Sequence, residues 1–154
     1  MALLVAALAL VVFARRHDGP LGPLPGGALQ AGTIVPPPDD WSPFADVATL
    51  ELETRPDSPW SVTTWFVVQE GKLYASADFL NPGKRWPHFV LEDPRVRVRL
   101  DEGSHLLRFE CRAVRVDEPS TIASLRETFA RKYHLAADGL AARTQVWFFR
   151  LDPR

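Results

Sequence analysis

Six segments typical of β-strands follow one another in residues 47–154, and this run limits the possible folds more than any other feature of the chain. Residues 48–54 alternate leucine with glutamate, which is the period of a strand that is buried on one face. Residues 62–68 are rich in β-branched and aromatic side chains, and Glu70-Gly71 leads them into a returning strand at 73–77. The folded part of the chain is therefore predicted to begin with a strand and a hairpin.

A short helix and a second hairpin follow. Pro87 can open a helix that ends at Asp93-Pro94, because proline fits the first turn of a helix and interrupts its continuation. Residues 95–100 alternate arginine with apolar side chains, and residues 106–116 return as a long strand. The apolar phase of that strand changes near Ala113, which predicts a β-bulge.

The last two elements complete a mostly β pattern. Pro119 starts a longer helix, and residues 145–151 form a closing strand that is apolar on both faces. The order contains no repeat and no parallel βαβ rhythm. With 46% apolar residues to fill a single core, it predicts a small antiparallel Greek-key barrel with short helices.

The N-terminal residues 1–16 are predicted to anchor the protein in a membrane. Residues 1–14 carry no charged side chain and lead directly to Arg15 and Arg16. Fourteen helical residues rise roughly 21 Å, so they cross a bilayer only if it thins or if a further apolar segment precedes them. The positive-inside rule then places the following domain in the cytoplasm. The alternative is a helix packed on the protein or lying at the membrane surface.

Residues 17–46 are dominated by proline and glycine and separate this segment from the folded domain at 47–154. Proline fixes φ and removes backbone donors, so the stretch is neither a helix nor a central strand. Two interpretations stay open. The stretch is either a semi-rigid spacer or an extended arm that wraps the barrel through Trp41 and Phe44.

Composition and motifs exclude several classes of function. A net charge of -1 gives no global electrostatic argument for binding nucleic acid, which requires a concentrated basic face. Cys111 is the single cysteine and the four histidines are far apart, so no disulfide and no metal site is expected. Nucleophile elbows, paired carboxylates and phosphate-binding glycine loops are missing from the sequence, and no catalytic residue is identified.

The order of elements resembles the pyridoxamine-phosphate-oxidase-like family of FMN-binding split barrels. Three stretches carry the resemblance: residues 59–68, residues 71–76, and Lys84-Arg85-Trp86 followed by the short helix and Asp93-Pro94. It covers roughly residues 47–151 and implies a six-stranded antiparallel Greek-key split barrel.

The resemblance also implies where a cofactor binds. In the family, the flavin lies across the second and third strands, basic residues before the short helix hold its phosphate, and the site lies at a homodimer interface. Arg85 matches the family's arginine, whereas Trp86 stands at the position of its lysine. The implied FMN or deazaflavin site comprises Ser61, Thr63, Ser76, Lys84, Arg85 and Trp86. The alternative for the basic pair is a solvated turn.

Two functions remain open at this point. One is a flavin- or deazaflavin-dependent oxidoreductase that acts on a small molecule. The other is a non-catalytic, membrane-tethered binding module on the same fold. A homodimer is expected for both, because residues 145–151 are apolar on both faces and tryptophan is frequent.

Several further side chains have two interpretations. The alternating Arg95, Arg97 and Arg99 either attract an anionic ligand or pair with Glu51, Glu53 and Glu110 across the sheet, and the pairing is favoured. Three tryptophans either cover a flavin ring or belong to the core or an interface: Trp60, Trp65 and Trp86.

Overall fold

The computed structural model describes residue 9 and residues 12–14, 16–78, 84–136 and 146–154. In these ranges the strands are β1 Thr33–Ile34, β2 Leu50–Thr54, β3 Trp60–Thr64, β4 Phe66–Gln69, β5 Lys72–Asp78, β6 Arg95–Asp101, β7 Leu106–Arg115 and β8 Val146–Pro153. The helices are α1 Trp86–Glu92 and α2 Pro119–Lys132, and Ser42–Phe44 forms a 3₁₀ turn.

The strands form one curled antiparallel sheet in the order β3, β2, β6, β7, β8, β5, β4. β3 and β4 are the two halves of one chain segment, interrupted at Trp65. At this interruption the Ser76 N–H donates to the Trp65 carbonyl (3.1 Å), and Thr64 Oγ1 donates to the Ser76 carbonyl (2.9 Å). The two ends of the sheet therefore meet, and the prediction of a six-stranded antiparallel barrel with short helices is confirmed. The two-residue β1 adds a parallel pair to β7.

Two apolar cores share this sheet. The main core fills the barrel and includes Trp86 and Val90 of α1, and a second core lies under α2 around Leu125 and Phe129. β8 contributes to both cores, since Phe149 and Leu151 belong to the main core and Phe148 belongs to the second core. Both apolar faces of the closing strand are thus covered within one chain.

The predicted bulge in β7 is wrong. The ladder runs unbroken from Leu106 to Arg112 against β6, and from Cys111 to Arg115 against β8. Ala113 stays in the main core, and Val116 packs in the second core. The phase change arises because α2 covers the opposite face of the sheet at this end, so apolar side chains are buried on both faces.

Residues 17–46, called the arm below, pack on the barrel. Leu29 is fully buried, and its N–H donates to Glu53 Oε2 at 2.6 Å. Gly26 pairs its backbone with Ser61 of β3, with N···O distances of 2.9 and 3.2 Å. Trp41 belongs to the main core. Of the two interpretations of this segment, these contacts fit the extended arm.

The arginines of β6 make ion pairs, as the favoured interpretation expected. Their partners lie on neighbouring strands, the arm and the adjacent turns: Asp93 and Asp57 for Arg95, Glu53 and Glu110 for Arg97, and Glu51 and Asp18 for Arg99.

The predicted membrane anchor falls largely outside the described residues. Residues 12–14 and 16 are helical. In the part of the chain described, no helix combines the length and apolar character needed to cross a membrane. Anchoring stays a prediction.

Candidate functional site

A cavity of about 420 Å³ lies between the arm, β3 and the start of α1, and it is called the arm cavity below. This volume lies within the range of small-molecule sites in proteins. The arm, β3 and the entry to α1 supply its walls: Gly22, Pro23, Leu24, Pro25, Trp60, Val62, Thr63, Lys84, Arg85 and Trp86.

The two edges of β3 are paired differently. β3 forms a ladder with β2 along its whole length, but it approaches β5 only at Thr64 and Trp65. Near Ser61 the edge of β3 that faces away from β2 is taken by Gly26 of the arm. The cavity therefore lies along β3 beside the point where the arm covers its edge, and the exposed Thr63 contributes to its lining.

The arm supplies the apolar wall. Leu21 and Leu24 exchange two backbone hydrogen bonds of 3.0 Å, which close a tight turn containing Pro23. Gly26 then fixes the end of this turn to β3. Pro23, Leu24 and Pro25 are held in this way opposite the apolar parts of Trp60 and Val62.

The opposite wall comes from the start of α1. Pro87 lies in the first turn, as the sequence predicted, and Trp86 packs against Phe149 with ring centroids 5.2 Å apart. Trp60 meets Phe89 of α1 edge to face at 5.7 Å. Because Trp86 is anchored in the core, the preceding Lys84 and Arg85 are placed at the rim of the cavity.

The charge of the cavity is positive. Lys84 and Arg85 line it, and none of the described residues that line it is acidic. Arg85 is exposed and makes no side-chain hydrogen bond or ion pair within the described ranges. Trp86 Nε1 is buried and has no hydrogen-bond partner among the described groups. An anion at this rim would meet a guanidinium and an ammonium group together.

The structure brings together four of the six residues that the sequence indicated. Thr63, Lys84, Arg85 and Trp86 all line the arm cavity. Ser61 is adjacent on β3, but it is fully buried beside the arm, and its Oγ has no partner in the described part of the chain.

Ser76 lies elsewhere. Leu73, Ala75 and Ala77 face the main core, so alternation along β5 places Ser76 on the same face as Tyr74, towards the second core. Ser76 is buried and does not line the arm cavity. Its backbone closes the sheet at Trp65 and Thr64.

Of the three tryptophans considered for a flavin ring, two line the arm cavity and one packs outside it. Trp60 and Trp86 line the cavity, whereas Trp65 stacks on Tyr133 outside it at 4.5 Å and 9°. The wall formed by residues 22–25 was not predicted, because proline and glycine there are equally typical of a spacer. The aromatic residues Trp41 and Phe44 were the one signal that the segment packs on the barrel.

Comparison with known proteins identifies the fold. No family model and no curated protein matches the chain. Among solved structures, HutZ, the heme storage protein from Vibrio cholerae, shares 20% identity at a TM-score of 0.56, covering 69% of this chain and 81% of its own.

Two further structures extend the comparison. An F420 reductase shares 16% identity at a TM-score of 0.54, covering 77% of this chain and 95% of its own. A putative pyridoxamine 5'-phosphate oxidase from Listeria innocua shares 15% identity at a TM-score of 0.51, covering 69% and 83%. The chain therefore has the split-barrel fold of the pyridoxamine-phosphate-oxidase-like, FMN-binding type, as the resemblance implied.

Proposed function

We propose that the chain binds a flavin-type cofactor, FMN or a deazaflavin, in the arm cavity and uses it for redox chemistry on a small molecule. One observation carries the proposal. Lys84, Arg85 and Thr63 line the same cavity as Trp60 and Trp86, and no described lining residue is acidic. The two basic side chains and the Thr63 hydroxyl suit the phosphate of a flavin, and the two aromatic rings suit its ring system.

The lining residues fit such a ligand at both ends. At the rim, Lys84 and Arg85 offset the negative charge of a phosphate, and the Thr63 hydroxyl can donate to it. Pro23, Leu24 and Trp60 also line the cavity and give it an apolar surface suited to a planar ring. The unpaired Trp86 Nε1 offers one donor to an acceptor atom of the ligand.

The fold neighbours support the class of cofactor. One is named an F420 reductase and another a putative pyridoxamine 5'-phosphate oxidase. A third is named a heme storage protein, so this fold accommodates more than one kind of ligand. The choice of a flavin for this chain rests on the basic rim and the aromatic wall.

A bound flavin supplies hydride or electron transfer. The residues of the chain contribute position and electrostatics. Lys84 and Arg85 hold the anionic end, while Leu24 and the prolines exclude water from the ring. The described lining residues include no carboxylate, histidine or cysteine.

The test replaces Arg85 and a matched arginine elsewhere. Charge-assisted hydrogen bonds contribute roughly 1.5 to 3 kcal/mol, so Arg85→Ala should weaken FMN binding by about tenfold or more. Arg112→Ala is the control, because Arg112 is also exposed but lies on β7 and does not line the arm cavity. Fluorescence titration gives both dissociation constants.

Three outcomes are informative. Weakening by Arg85→Ala alone supports the site. Equal binding by wild type and both variants would place the phosphate elsewhere. If wild type binds neither FMN nor a deazaflavin, the oxidoreductase proposal fails and the non-catalytic binding module takes its place.

A further inference from the structure

A second cavity, of about 450 Å³, lies between α2, β4 and the turn that precedes β2. It shares no lining residue with the arm cavity. Its walls combine apolar and charged groups: Ala45, Asp46, Ala48, Val67, Val68, Thr128, Arg131, Lys132 and Tyr133. This cavity is not part of the flavin-type site proposed above.

Lys132 is held in this cavity without a carboxylate partner. Its Nζ donates to the Val47 carbonyl at 2.8 Å and lies 3.8 Å from the centroid of the Phe66 ring. No carboxylate of the described residues forms an ion pair with it. An amine that is half-buried and unpaired in a cavity is accessible to a ligand while being poorly hydrated.

Burial makes the neutral form of Lys132 more accessible than that of an exposed lysine. Burial lowers the pKa of the amine to about 8, and the attraction of Asp46 acts in the opposite direction. Among the described residues that line the cavity, the other titratable groups are Arg131 in the last turn of α2 and Tyr133 directly after this helix, and β4 contributes none. Burial raises the pKa of Tyr133 to about 12, so its hydroxyl stays neutral.

Tyr133 makes this geometry rigid. Its hydroxyl accepts from the Phe66 N–H at 3.0 Å and lies within hydrogen-bond distance of the carbonyls of Ala48 (2.9 Å) and Phe66 (2.7 Å). These contacts tie the end of α2 to β4 and to the turn before β2. The position of the Lys132 amine is therefore fixed by three elements of the fold.

We propose that this cavity is a second site, which takes a small carbonyl compound bearing a carboxylate and binds it covalently through Lys132. Arg131 lines the cavity and has no ion pair with any described residue, so it is available to the carboxylate. Val67 and Val68 contact the remainder of the ligand.

The chemistry balances without an added oxidant or reductant. The lone pair of the neutral Nζ forms a bond to the carbonyl carbon, and a proton moves from nitrogen to the carbonyl oxygen. The resulting carbinolamine loses water to give an imine. The Val47 carbonyl accepts an N–H during this sequence and keeps the nitrogen in place.

Reductive trapping tests the proposal on the full chain. Glyoxylate is added with cyanoborohydride, which delivers hydride to an imine and converts it to a stable secondary amine, and peptide mass mapping locates the product. The chain contains three lysines, Lys72, Lys84 and Lys132, so the other two are internal controls. At pH 7.5 Lys132 should react at least about tenfold faster than either, because more of its amine is neutral.

Two further readouts separate a built site from a merely reactive amine. The rate of modification at Lys132 should rise with pH through a midpoint near 8. Arg131→Gln should slow the reaction with glyoxylate but leave that with propionaldehyde unchanged, since propionaldehyde lacks the carboxylate.

Two results would contradict the proposed second site. Modification of Lys132 no faster than that of Lys72 and Lys84 would overturn the site. Equal effects of Arg131→Gln on both aldehydes would overturn the role of Arg131 and the carboxylate preference. Both measurements use folded protein, because Lys132 itself is retained.

Discussion

Two charged side chains, Glu53 and Arg99, lie almost fully inside the protein where the arm crosses the sheet, with 3% and 6% of their surfaces exposed. Each is paired. Glu53 accepts from the Leu29 N–H at 2.6 Å and contacts Arg97 at 3.3 Å, while Arg99 donates to Asp18 at 2.7 Å and to Glu51. Buried charges persist only when such partners satisfy them. These residues therefore connect the arm to the barrel.

Removing Glu53 tests this connection. Glu53→Ala leaves the buried Leu29 N–H without an acceptor and takes one of two carboxylate partners from Arg97, which keeps Glu110. We expect a loss of about 2 to 4 kcal/mol in the free energy of unfolding, measured by urea denaturation. Glu127→Ala is the control, because Glu127 is exposed on α2, and it should change stability by less than about 0.5 kcal/mol. Similar losses of stability in both variants would contradict the role of Glu53 in connecting the arm to the barrel.

At the scale of elements, the strands were predictable because their side chains either alternate between a buried and an exposed face or are rich in β-branched and aromatic types. The interruption at Trp65 was not, since it depends on β5 approaching from a distant part of the chain. The contact between the arm and β3 was not predicted for a related reason. Its link to Ser61 runs through the backbone of Gly26, and backbone hydrogen bonds leave no mark in the pattern of side chains.

The arm can be displaced by one methyl group. A Cβ at Gly26 would lie 1.7 Å from the carbonyl oxygen of Gly19, so Gly26→Ala forces the turn to move. Overpacking of this kind typically costs about 1 to 3 kcal/mol, and limited proteolysis should show faster cleavage within residues 17–35 while the barrel stays intact. Gln30→Ala, at an exposed position of the arm, should cleave like wild type. Unchanged cleavage in Gly26→Ala would mean that the arm does not depend on this contact.

On the scale of the whole molecule, α2 explains why the closing strand is apolar on both faces. Phe148 packs under α2 and Phe149 in the barrel, so a partner chain is not needed to cover either face. The expectation of a homodimer now depends on the family resemblance and on exposed apolar groups such as Trp65 and Leu91, with 38% and 49% of their surfaces exposed.

The dimer therefore stays a prediction. Light scattering on the purified chain at about 10 to 100 μM should give twice the mass of one chain if an interface of ordinary strength forms. A single-chain mass at every concentration in this range would contradict it. It would also require the arm cavity to bind its ligand within one protomer.

The candidate site was partly predictable from the sequence. Lys84, Arg85 and Trp86 are adjacent in the chain and Thr63 lies on a predicted strand, so the resemblance identified them together. Ser76 was misjudged as a neighbour of this group, because sequence alone did not show that its side chain points to the second core. The apolar wall of residues 22–25 was missed, since it reaches the cavity only after the arm has folded back.

Titration of FMN and 5-deaza-FMN into the wild-type chain, followed by flavin fluorescence, tests the central claim most directly. We predict saturable binding of at least one of them, with one molecule bound per chain and a dissociation constant below about 50 μM, corresponding to roughly 6 kcal/mol of binding free energy. The Arg85→Ala variant should bind about tenfold or more weakly in the same titration. Failure of both compounds to saturate the wild-type chain at about 100 μM would contradict the flavin site in the arm cavity.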